Sequence, residues 1–506
     1  MKPMNKFPIY LLITLLMVLG YGYIKLSAAS ADKYVSVDGD DSWPGTLTKP
    51  WKTINHAAKV LTAGQRVYIR GGTYMLDVNI MPANSGTAKK WISYEAYPGE
   101  KPVIDGINVP FDVRSPDEMP AFEQGIFYVL DKSHIRIKGL TIKNSHGAGL
   151  MFRRCNNIEV IGNAVTDTFG PGIACWKGRA RDFSPYSHFK VIGNYLSNTN
   201  SYDLDRKPRW RMSEPPHEAI SMAGVSYFEV AYNELDHCDK EGIDIKENAS
   251  HGVVHHNYVH GVTRQGLYAD AWFGELTDIE FHHNVVTDSM CGIAVSSENG
   301  PETSDIRIHH NLLYKNNFYG VYFSEWGADL PRRNILIENN TLWMNYIGGI
   351  YFSSDNISDV SIRNNIIAEN ALFQIGFSDR WSEDEIREKN IEAEYNLICQ
   401  SKTVTYPVWT WSPKGDRWAS PCTGANTVSA LPGFTDAAND IYTLAADSAA
   451  IDAGKPGKSY NDPNRTRSDI GFMYFKEPDW AWWLESDFPA GKGEKYLQSK
   501  KKNKKW

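Results

Sequence analysis

The chain has 506 residues, of which 42% are hydrophobic and 22% charged, and this ordinary composition excludes a largely disordered protein. A formal net charge of −7 argues against binding of nucleic acid through bulk positive charge. The chain is rich in aromatic residues, with 16 Trp and 27 Tyr, whose flat rings suit the faces of sugars.

The N-terminal segment has the pattern of an export signal. Lys2 and Lys6 accompany an apolar run from Ile9 to Ile24, and Ala29-Ser30-Ala31 forms a small-residue cleavage site. We therefore expect residues 1–31 to be a signal peptide, the mature protein to be secreted or periplasmic, and no stable membrane association after cleavage. An uncleaved anchor is the alternative, although the apolar run is marginal in length for crossing a bilayer.

The next segment, residues 32–125, is predicted to form an N-terminal cap and the first coils of a repeat structure. Thr53 to Leu61 is an amphipathic helical stretch, and the sequence RVYIRGGTY that follows Gly64 favours short strands. A helix at this place would cover the open end of a stack of strands.

A short strand motif then recurs eight times between residues 149 and 353. Its first apolar residue falls at 150, 173, 220, 243, 267, 293, 321 and 350. Six of the seven intervals are 23 to 29 residues long, and the seventh, of 47, is one coil with two inserted loops. Within each motif the apolar residues alternate, as in Ile243/Ile245 and Val321/Phe323, which places them on one face of a strand.

A second strand in each coil ends in asparagine. These residues are Asn163, Asn194, Asn233, Asn257, Asn284, Asn311, Asn340 and Asn365. Because asparagine tolerates left-handed turns and bonds to backbone groups, one Asn per coil predicts a stacked ladder at a tight bend.

These repeats predict an all-β fold, a right-handed parallel β-helix (solenoid) over residues 126–400. A left-handed helix of hexapeptides would need a much shorter repeat. Residues 401–506 are predicted to form an irregular C-terminal extension, with KKKNKKW as a disordered basic tail. Of the six cysteines, Cys175 falls at an inward position, whereas Cys399 and Cys422 flank a loop and could pair.

Three segments resemble pectate-lyase-like β-helix proteins. They are YVSVDGDDSWPGTLTKPWKTINHAAKVLTAGQRVYIRGGTY, the run EGIDIKE…GLYADAW…GIAVSSENG, and the closing YTLAADSAAIDAG…RSDIGF. The resemblance implies the fold and a carbohydrate-active enzyme, and leaves the reaction open, because this superfamily holds lyases, hydrolases, epimerases and phage tailspikes. The sequence departs from two known patterns. The paired Asp and Gly-His-Gly of polygalacturonases are absent, and Asp270 replaces the Arg of alginate-lyase relatives.

Two adjacent coils carry charged residues on the face predicted to point to solvent. Asp244 and Lys246 lie on one strand, and Tyr268 and Asp270 on the next, where other coils have small neutral residues. Further side chains on this face are Glu298, Glu325, Trp176, Trp272 and Trp326. Solvated surface charges are the alternative, but stacked like charges destabilise a sheet, so we favour a functional site with the aromatic residues binding substrate.

The two inserted loops suggest the charge of the substrate. One runs from Lys177 to Tyr186, and the other, from Asn198 to Pro216, contains Arg209 and Arg211 beside Trp210. The concentration of cations in an acidic protein favours an anionic ligand such as a uronate or a sulfated sugar, since Arg binds carboxylate and sulfate well. The alternative is a solvated loop that pairs with local acids.

Three successive coils carry paired histidines. They are His255/His256, His282/His283 and His309/His310. Metal binding is conceivable, but a stacked structural ladder is favoured, because the pairs adjoin the asparagine bend and not the acidic face.

Three functions compete. Hydrolysis of an acidic polysaccharide, slightly favoured, would use Asp244 and Asp270 with Glu298 in reserve and no cofactor. Lys246 is expected to keep Asp244 ionised, leaving Asp270 as the acid. Elimination by a polysaccharide lyase would use Ca²⁺ held by Asp244 and Asp270, with Lys246 as the base. A non-catalytic glycan-binding solenoid is the third possibility. In each case we expect a monomer.

Overall fold

The fold is a solenoid of three parallel sheets that run side by side along one axis. It is seen in a computed structural model that describes residues 32–110, 124–176, 186–201, 217–399, 426–478 and 481–503. The predicted signal peptide, Cys422 and most of both basic insertions lie outside these residues. Each coil contributes one short strand to each sheet, so that every strand pairs with its copy in the next coil.

Sheet 1 has 13 strands and carries the residues that precede the ladder asparagines. Its strands are Asp32–Val35, Arg66–Ile69, Ile92–Ala96, Ser133–Lys138, Asn156–Ile161, Tyr186–Ile192, Val225–Ala231, Ser250–His255, Leu276–His282, Thr303–His309, Arg332–Glu338, Ile357–Arg363 and Ile391–Glu394.

Sheet 2 has 12 strands and follows the bend. Its strands are Gly72–Met75, Pro102–Asp105, Thr141–Ser145, Ala164–Thr168, Tyr195–Ser197, Glu234–Asp236, Tyr258–His260, Val285–Thr287, Leu312–Tyr314, Thr341–Trp343, Ile366–Ala368 and Leu397–Cys399.

Sheet 3 has ten strands and carries the predicted site. Its strands are Gly125–Leu130, Ala148–Arg153, Ile173–Trp176, Ile220–Ala223, Ile243–Lys246, Gln265–Asp270, Cys291–Ser296, Tyr319–Phe323, Gly348–Phe352 and Phe373–Phe377.

The register of sheet 3 confirms the predicted repeat. Ile243 pairs with Ile220 on one side and with Leu267 on the other, so the apolar residue of each motif stacks on that of the next coil. These residues point into the barrel and are fully buried, as is Cys175. Two further coils extend the sheet, through Phe127 at one end and Ile375 at the other.

The asparagine ladder is also confirmed. Asn257 donates from Nδ2 to Oδ1 of Asn284 at 2.9 Å, and Asn284 donates in the same way to Asn311 at 3.0 Å. The ladder continues beyond the predicted members to Asn396. A second ladder, not predicted, joins Asn316 and Asn345 at the other end of sheet 2. Such ladders satisfy buried amides that would otherwise destabilise the bend.

Both ends of the barrel are covered. The predicted N-terminal helix spans Ile54–Val60, with the Thr53 hydroxyl accepting a hydrogen bond from the His56 N–H at 3.0 Å. Near the other end lies a short helix, Glu383–Glu388.

The C-terminal extension packs along the outside of sheet 2. An antiparallel pair, Phe434–Asp436 and Ile441–Leu444, precedes a segment whose buried Tyr442 and Ile470 join Leu312 in one apolar cluster. A helix, Ala490–Asn503, occupies much of the tail predicted to be disordered, so that prediction was wrong for residues 500–503. Among the described helices, none is both long and apolar enough to cross a lipid bilayer.

Candidate functional site

The charged residues of sheet 3 lie on adjacent strands, as predicted, but they are buried. Lys246 pairs with Asp270 in register, and Asp244 with Tyr268, which makes Asp244 and Asp270 diagonal neighbours. The prediction that these side chains face solvent was wrong. They point away from the barrel core, yet Asp244, Lys246 and Asp270 are only 1%, 3% and 2% exposed. Charges so deeply buried require partners.

The partner of Lys246 is a glutamate that the sequence reasoning missed. The Nζ of Lys246 lies 2.8 Å from Oε1 of Glu218 and 3.0 Å from Oδ2 of Asp244. Glu218 is fixed in turn by the Ser221 hydroxyl, which donates to its Oε2 at 2.9 Å. Glu218 stands two residues before Ile220, a position that Glu241 occupies in the following coil. That recurrence of glutamate was the available signal.

The charges of this cluster are not balanced. Burial would raise the pKa of Glu218, but Lys246, and then Lys240, outweigh burial and hold that pKa well below its usual range. Burial would lower the pKa of Lys246, but Asp244 and Glu218 hold it well above its usual range. The cluster therefore contains one firmly ionised pair, Lys246 and Glu218.

The two aspartates carry the excess negative charge. Burial raises the pKa of Asp244 well above its usual range, and Glu218 and Asp270 add to the effect, which Lys246 only partly offsets. The expectation that Lys246 keeps Asp244 ionised is thus not met, because the ammonium charge is shared with Glu218. Burial and then Glu298 raise the pKa of Asp270 in the same way. This direction agrees with the predicted acid role of Asp270.

Glu298 lies one coil beyond Asp270 and is partly exposed. The hydroxyl of Tyr268 donates to its Oε1 at 2.8 Å. Tyr268 is itself buried, and burial followed by the charges of Asp270 and Glu298 raises its pKa well above the usual range, so it remains a donor. A buried carboxyl with a raised pKa, that of Asp270, thus lies near the partly exposed side chain of Glu298.

Aromatic rings form the rim of this cluster. Trp272 stacks on Phe273 with ring centres 5.0 Å apart, and the two side chains are 39% and 41% exposed. The Nζ of Lys246 lies 5.4 Å from the Trp272 ring. Trp326 packs edge-on against Tyr268 at 5.7 Å. The rim therefore offers apolar faces beside the carboxylates, an arrangement suited to sugar rings.

Two predicted substrate-binding residues, Glu325 and Trp176, lie apart from this rim. Glu325 is exposed and pairs with Arg380 at 2.7 Å. Trp176 stands two coils before Lys246, against His217 at 4.4 Å and under the guanidinium of Arg153 at 4.9 Å.

The basic insertions belong to the coil before Glu218. A strand of sheet 3 ends at Trp176, the next described strand begins at Tyr186 in sheet 1, and the described residues end again after Ser201. Arg209 and Arg211 lie outside the described residues, so their predicted role in binding substrate stays a prediction.

Two oxygen atoms of the cluster are suited to a cation. Among the described residues, neither Oδ1 of Asp244 nor Oδ1 of Asp270 has a hydrogen-bond partner, although both atoms are buried. Carboxylate oxygens are the ligands that Ca²⁺ prefers. The side chains predicted to hold calcium therefore fit that ion chemically.

Three family models match successive parts of the chain. A model described as "Pel9A-like, right handed beta helix region" matches residues 33–210, and "Right handed beta helix region" matches residues 124–305. "Periplasmic copper-binding protein (NosD)" matches residues 240–398. With the repeats and the three parallel sheets, these matches show the fold of a right-handed parallel β-helix and a likeness to Pel9A-like β-helix proteins. The Pel9A-like match ends before Glu218 and does not include the charged cluster.

Two curated relatives differ in how much of the chain they match. Pectate lyase PEL9 of Emericella nidulans is 36% identical over 116 residues, which span 23% of this chain and only 28% of that protein. The uncharacterized protein YwoF of Bacillus subtilis is 26% identical over 458 residues, or 82% of this chain and 91% of that one.

Solved structures are also similar to this chain, at low sequence identity and with TM-scores below 0.5. Pectate lyase Pel9A has a TM-score of 0.46 at 13% identity, covering 88% of this chain and 96% of its own. A GH136 lacto-N-biosidase from Eubacterium ramulus has a TM-score of 0.46 at 14% identity. The match covers 82% of this chain and 69% of the biosidase chain.

Proposed function

We propose that this protein is an enzyme that cleaves glycosidic bonds of an acidic polysaccharide by hydrolysis, with Asp270 as general acid. The observation that carries the proposal is the contrast between Asp270 and Glu298. Asp270 is buried beside other carboxylates, which raises its pKa, whereas Glu298 reaches solvent and accepts a hydrogen bond from Tyr268. Glycosidases need such a pair, one carboxyl to protonate the leaving oxygen and one carboxylate to act on the sugar or on water.

In this proposal the roles within the cluster shift from those predicted. Glu298 becomes the partner of Asp270, while Lys246 and Glu218 form an ion pair, with Asp244 3.0 Å from the same ammonium, that supports the cluster. Trp272 and Trp326 would bind the sugar rings. The acidic nature of the substrate is inferred from the two basic insertions and from the ability of Arg to bind carboxylate and sulfate. A polymer of this kind is met outside the cell, which agrees with the export signal expected in residues 1–31.

Elimination is the second candidate, favoured by the two buried aspartate oxygens without partners and by the likeness to pectate lyases. Asp244 and Asp270 would hold Ca²⁺, which when bound neutralises the uronate carboxylate and so acidifies the sugar C5–H. Lys246 would have to take that proton. The structure opposes this role, because Glu218 and Asp244 stabilise the protonated form of Lys246.

The test is to incubate the purified full chain with a panel of uronate and sulfated polysaccharides, with Ca²⁺ or with a chelator. Reducing ends and the ultraviolet absorbance of unsaturated uronate are measured in parallel. New reducing ends without absorbance support hydrolysis, and absorbing products would replace it by elimination. Binding without any product would overturn both and leave a glycan-binding solenoid.

Two variants complete the test. Asp270→Asn is expected to lower kcat by about 10²- to 10⁴-fold, the usual contribution of a general acid. The matched control is Asp278→Asn, a half-exposed aspartate on sheet 1 that lies 3.7 Å from His251, and it should keep full activity. Full activity of Asp270→Asn would remove Asp270 from the acid role.

A further inference from the structure

The first four strands of sheet 1 form the floor of a basic groove at the N-terminal end of the barrel. The groove has a volume of about 850 Å³ and shares no lining residue with the charged cluster of sheet 3. Its cations outnumber its carboxylates, in a protein whose net charge is −7. The charged lining residues are Lys33, Arg66, Lys89, Lys90 and Arg136, with Asp32 and Glu95.

The register of sheet 1 places a small residue between two arginines in this groove. Arg66 pairs with Ser93, and Ser93 pairs with Arg136, so the three residues occupy one column on successive coils. Because neighbouring strands are about 4.8 Å apart, the backbones of the two arginines are about 10 Å apart. The short, buried Ser93 leaves a depression between them. Two cations at this separation suit charges that repeat along a polymer better than a single small anion.

Carboxylates hold both guanidinium groups in place. Glu95 lies between the two arginines, 3.8 Å from Arg66 and 3.9 Å from Arg136. Arg66 also donates to Asp32 at 3.0 and 3.1 Å, and Arg136 donates to Glu159 at 2.6 Å. The arginine side chains nevertheless stay 38% and 30% exposed. Each guanidinium is therefore fixed in direction and still accessible to a ligand carboxylate or sulfate.

Two lysines on a tight turn carry positive charge that no carboxylate offsets. Backbone hydrogen bonds of 2.8 and 2.9 Å between Thr87 and Lys90 close this turn. The N–H of Gly86 donates to the Ser133 carbonyl at 2.9 Å, which fixes the turn on sheet 1. Lys89 and Lys90 are exposed, and neither forms an ion pair within the part of the chain that the structure describes. Both ammonium groups are thus available to an external anion.

Trp91 adds an aromatic ring beside these cations. The residue is partly exposed, and the guanidinium of Arg136 lies 5.7 Å from its ring. The indole lines the groove next to the turn that carries the two lysines. The groove therefore combines an apolar ring with cations, which suits a ligand that has both a sugar face and acidic groups.

A second groove, of about 600 Å³, shares Trp91 with the first and continues along sheet 1 to the C-terminal helix. One wall contains part of the predicted histidine stack, in which the rings of His255 and His282 are parallel and 4.8 Å apart. Its two carboxylates offset its two lysines, so the excess positive charge is confined to the N-terminal groove. These four residues are Glu159, Glu229, Lys190 and Lys500.

We propose that the N-terminal groove is a second, non-catalytic binding site for an anionic polysaccharide. Its cations would contact the carboxylate or sulfate groups, and Trp91 would pack against a sugar face. This ligand class follows from the charge and shape of the groove and not from the reaction proposed at sheet 3. The net negative charge of the protein repels broad polyanions such as nucleic acid or an anionic membrane, whereas a single thin chain can lie within the groove.

The experiment is lysine footprinting of the full chain with an acetylating reagent, read by mass spectrometry. Polygalacturonate and dextran sulfate are the probes, and neutral dextran is the control polymer. We expect at least one anionic polymer to slow the acetylation of Lys89 and Lys90. The exposed Lys49 and Lys59, which do not line the groove, should react at unchanged rates.

Two footprinting results would overturn the proposal. One is an unchanged rate at Lys89 and Lys90 with both anionic polymers. The other is equal protection by neutral dextran. This readout does not depend on turnover, so a protein that cleaves no polysaccharide can still show protection, and an active protein can fail to show it.

Variants then measure how much the groove contributes to affinity. Asp270→Asn and Trp272→Ala are combined as the parent, to remove turnover and weaken binding at sheet 3. Adding Lys89→Gln and Lys90→Gln should weaken calorimetric binding of the anionic polymer about 10-fold, since charged groups make strong hydrogen bonds. The matched control adds Lys49→Gln and Lys59→Gln and should bind as the parent does.

Equal losses in these two lysine variants would show an effect of net charge alone and overturn the proposal. Tighter binding of the parent to DNA, or to vesicles of anionic lipid, than to either polysaccharide would assign the groove to another partner and also overturn it. Added salt should weaken polysaccharide binding, because it screens exposed charges.

Discussion

The ammonium of Lys246 lies 2.8 Å from the carboxylate of Glu218, on the coil before it. The two residues are 28 positions apart in sequence and meet because successive coils stack in register. Both side chains are nearly fully buried. Because Glu218 shares the charge of Lys246, the ammonium offsets only in part the burial that raises the pKa of Asp244 and of Asp270.

Replacing Glu218 by Gln should destabilise the fold. The variant removes the ionised partner of a buried ammonium, a change that typically lowers the free energy of unfolding by about 3 kcal/mol. The folded pKa of Glu218 is lowered, so its stabilisation is present above the unfolded pKa near 4.3 and is lost as pH falls through the folded value. Denaturant unfolding at pH 7 and at pH 3 measures both effects.

The matched control for Glu218 is Glu325→Gln, which breaks an exposed pair with Arg380. Surface ion pairs contribute about 0–1 kcal/mol, so Glu325→Gln should change the free energy of unfolding little. If Glu218→Gln and Glu325→Gln lowered the free energy of unfolding equally, Glu218 would not be a more important ion-pair partner than an exposed glutamate.

Asp270→Asn should stabilise the protein as pH rises. The folded pKa of Asp270 is raised, so its favourable contribution is complete below the unfolded pKa near 3.9 and declines as pH rises toward the folded value. The amide introduced by Asp270→Asn does not ionise, so its contribution to the free energy of unfolding does not decline as pH rises. The free energy of unfolding of the variant should therefore exceed that of the wild type by an amount that grows by about 1.4 kcal/mol per pH unit in this window. A pH series of unfolding curves measures it, and a difference that shrinks with pH would show that Asp270 is ionised.

Trp272→Ala should weaken glycan binding. Its ring is 39% exposed beside Lys246 and presents a face to the proposed substrate. We expect about a 10-fold loss of affinity, or about 1.4 kcal/mol. Calorimetry in the Asp270→Asn background avoids turnover. Trp43→Ala is the control, because Trp43 is 38% exposed but lies in the N-terminal region. If the Trp43 variant lost as much affinity, the rim would not be the binding surface.

Asn284→Ala should break the middle of the asparagine ladder. Asn284 is fully buried and donates to Asn311 at 3.0 Å and to the Val254 carbonyl at 2.9 Å. Leaving these acceptors unsatisfied should lower the free energy of unfolding by about 3 kcal/mol. Chemical denaturation measures the loss. In the exposed Asn317, which does not have a left-handed backbone, the change to Ala should lower the free energy of unfolding by less than about 1 kcal/mol.

The coils could be predicted from sequence because each repeat carries two independent signals. Alternating apolar residues such as Ile243 and Ile245 mark the inward face, and one Asn marks the bend, so the register followed without any structure. The coil at Phe373–Phe377 was missed because its strand, FQIGF, lacks the small residue that opens the other motifs.

The site was predicted only in part. Alternation showed that Asp244 and Asp270 point away from the core, but a period of two does not say what covers the outer face. Burial there, and hence the raised pKa of both aspartates, depends on residues from other coils. Glu218 was missed because it precedes the alternating segment, and its position recurs as glutamate only in the next coil, at Glu241.

The residues of the charged cluster, from Glu218 to Glu298, come from four successive coils and from one uninterrupted stretch of chain. Most enzymes assemble their sites from distant segments, so that no single piece of sequence contains the site. Here one block of DNA encodes the cluster together with the strands that set its spacing. Because every coil pairs only with its neighbours, such a block can be exchanged between β-helix proteins as a unit, and new specificities can arise by recombination between coils.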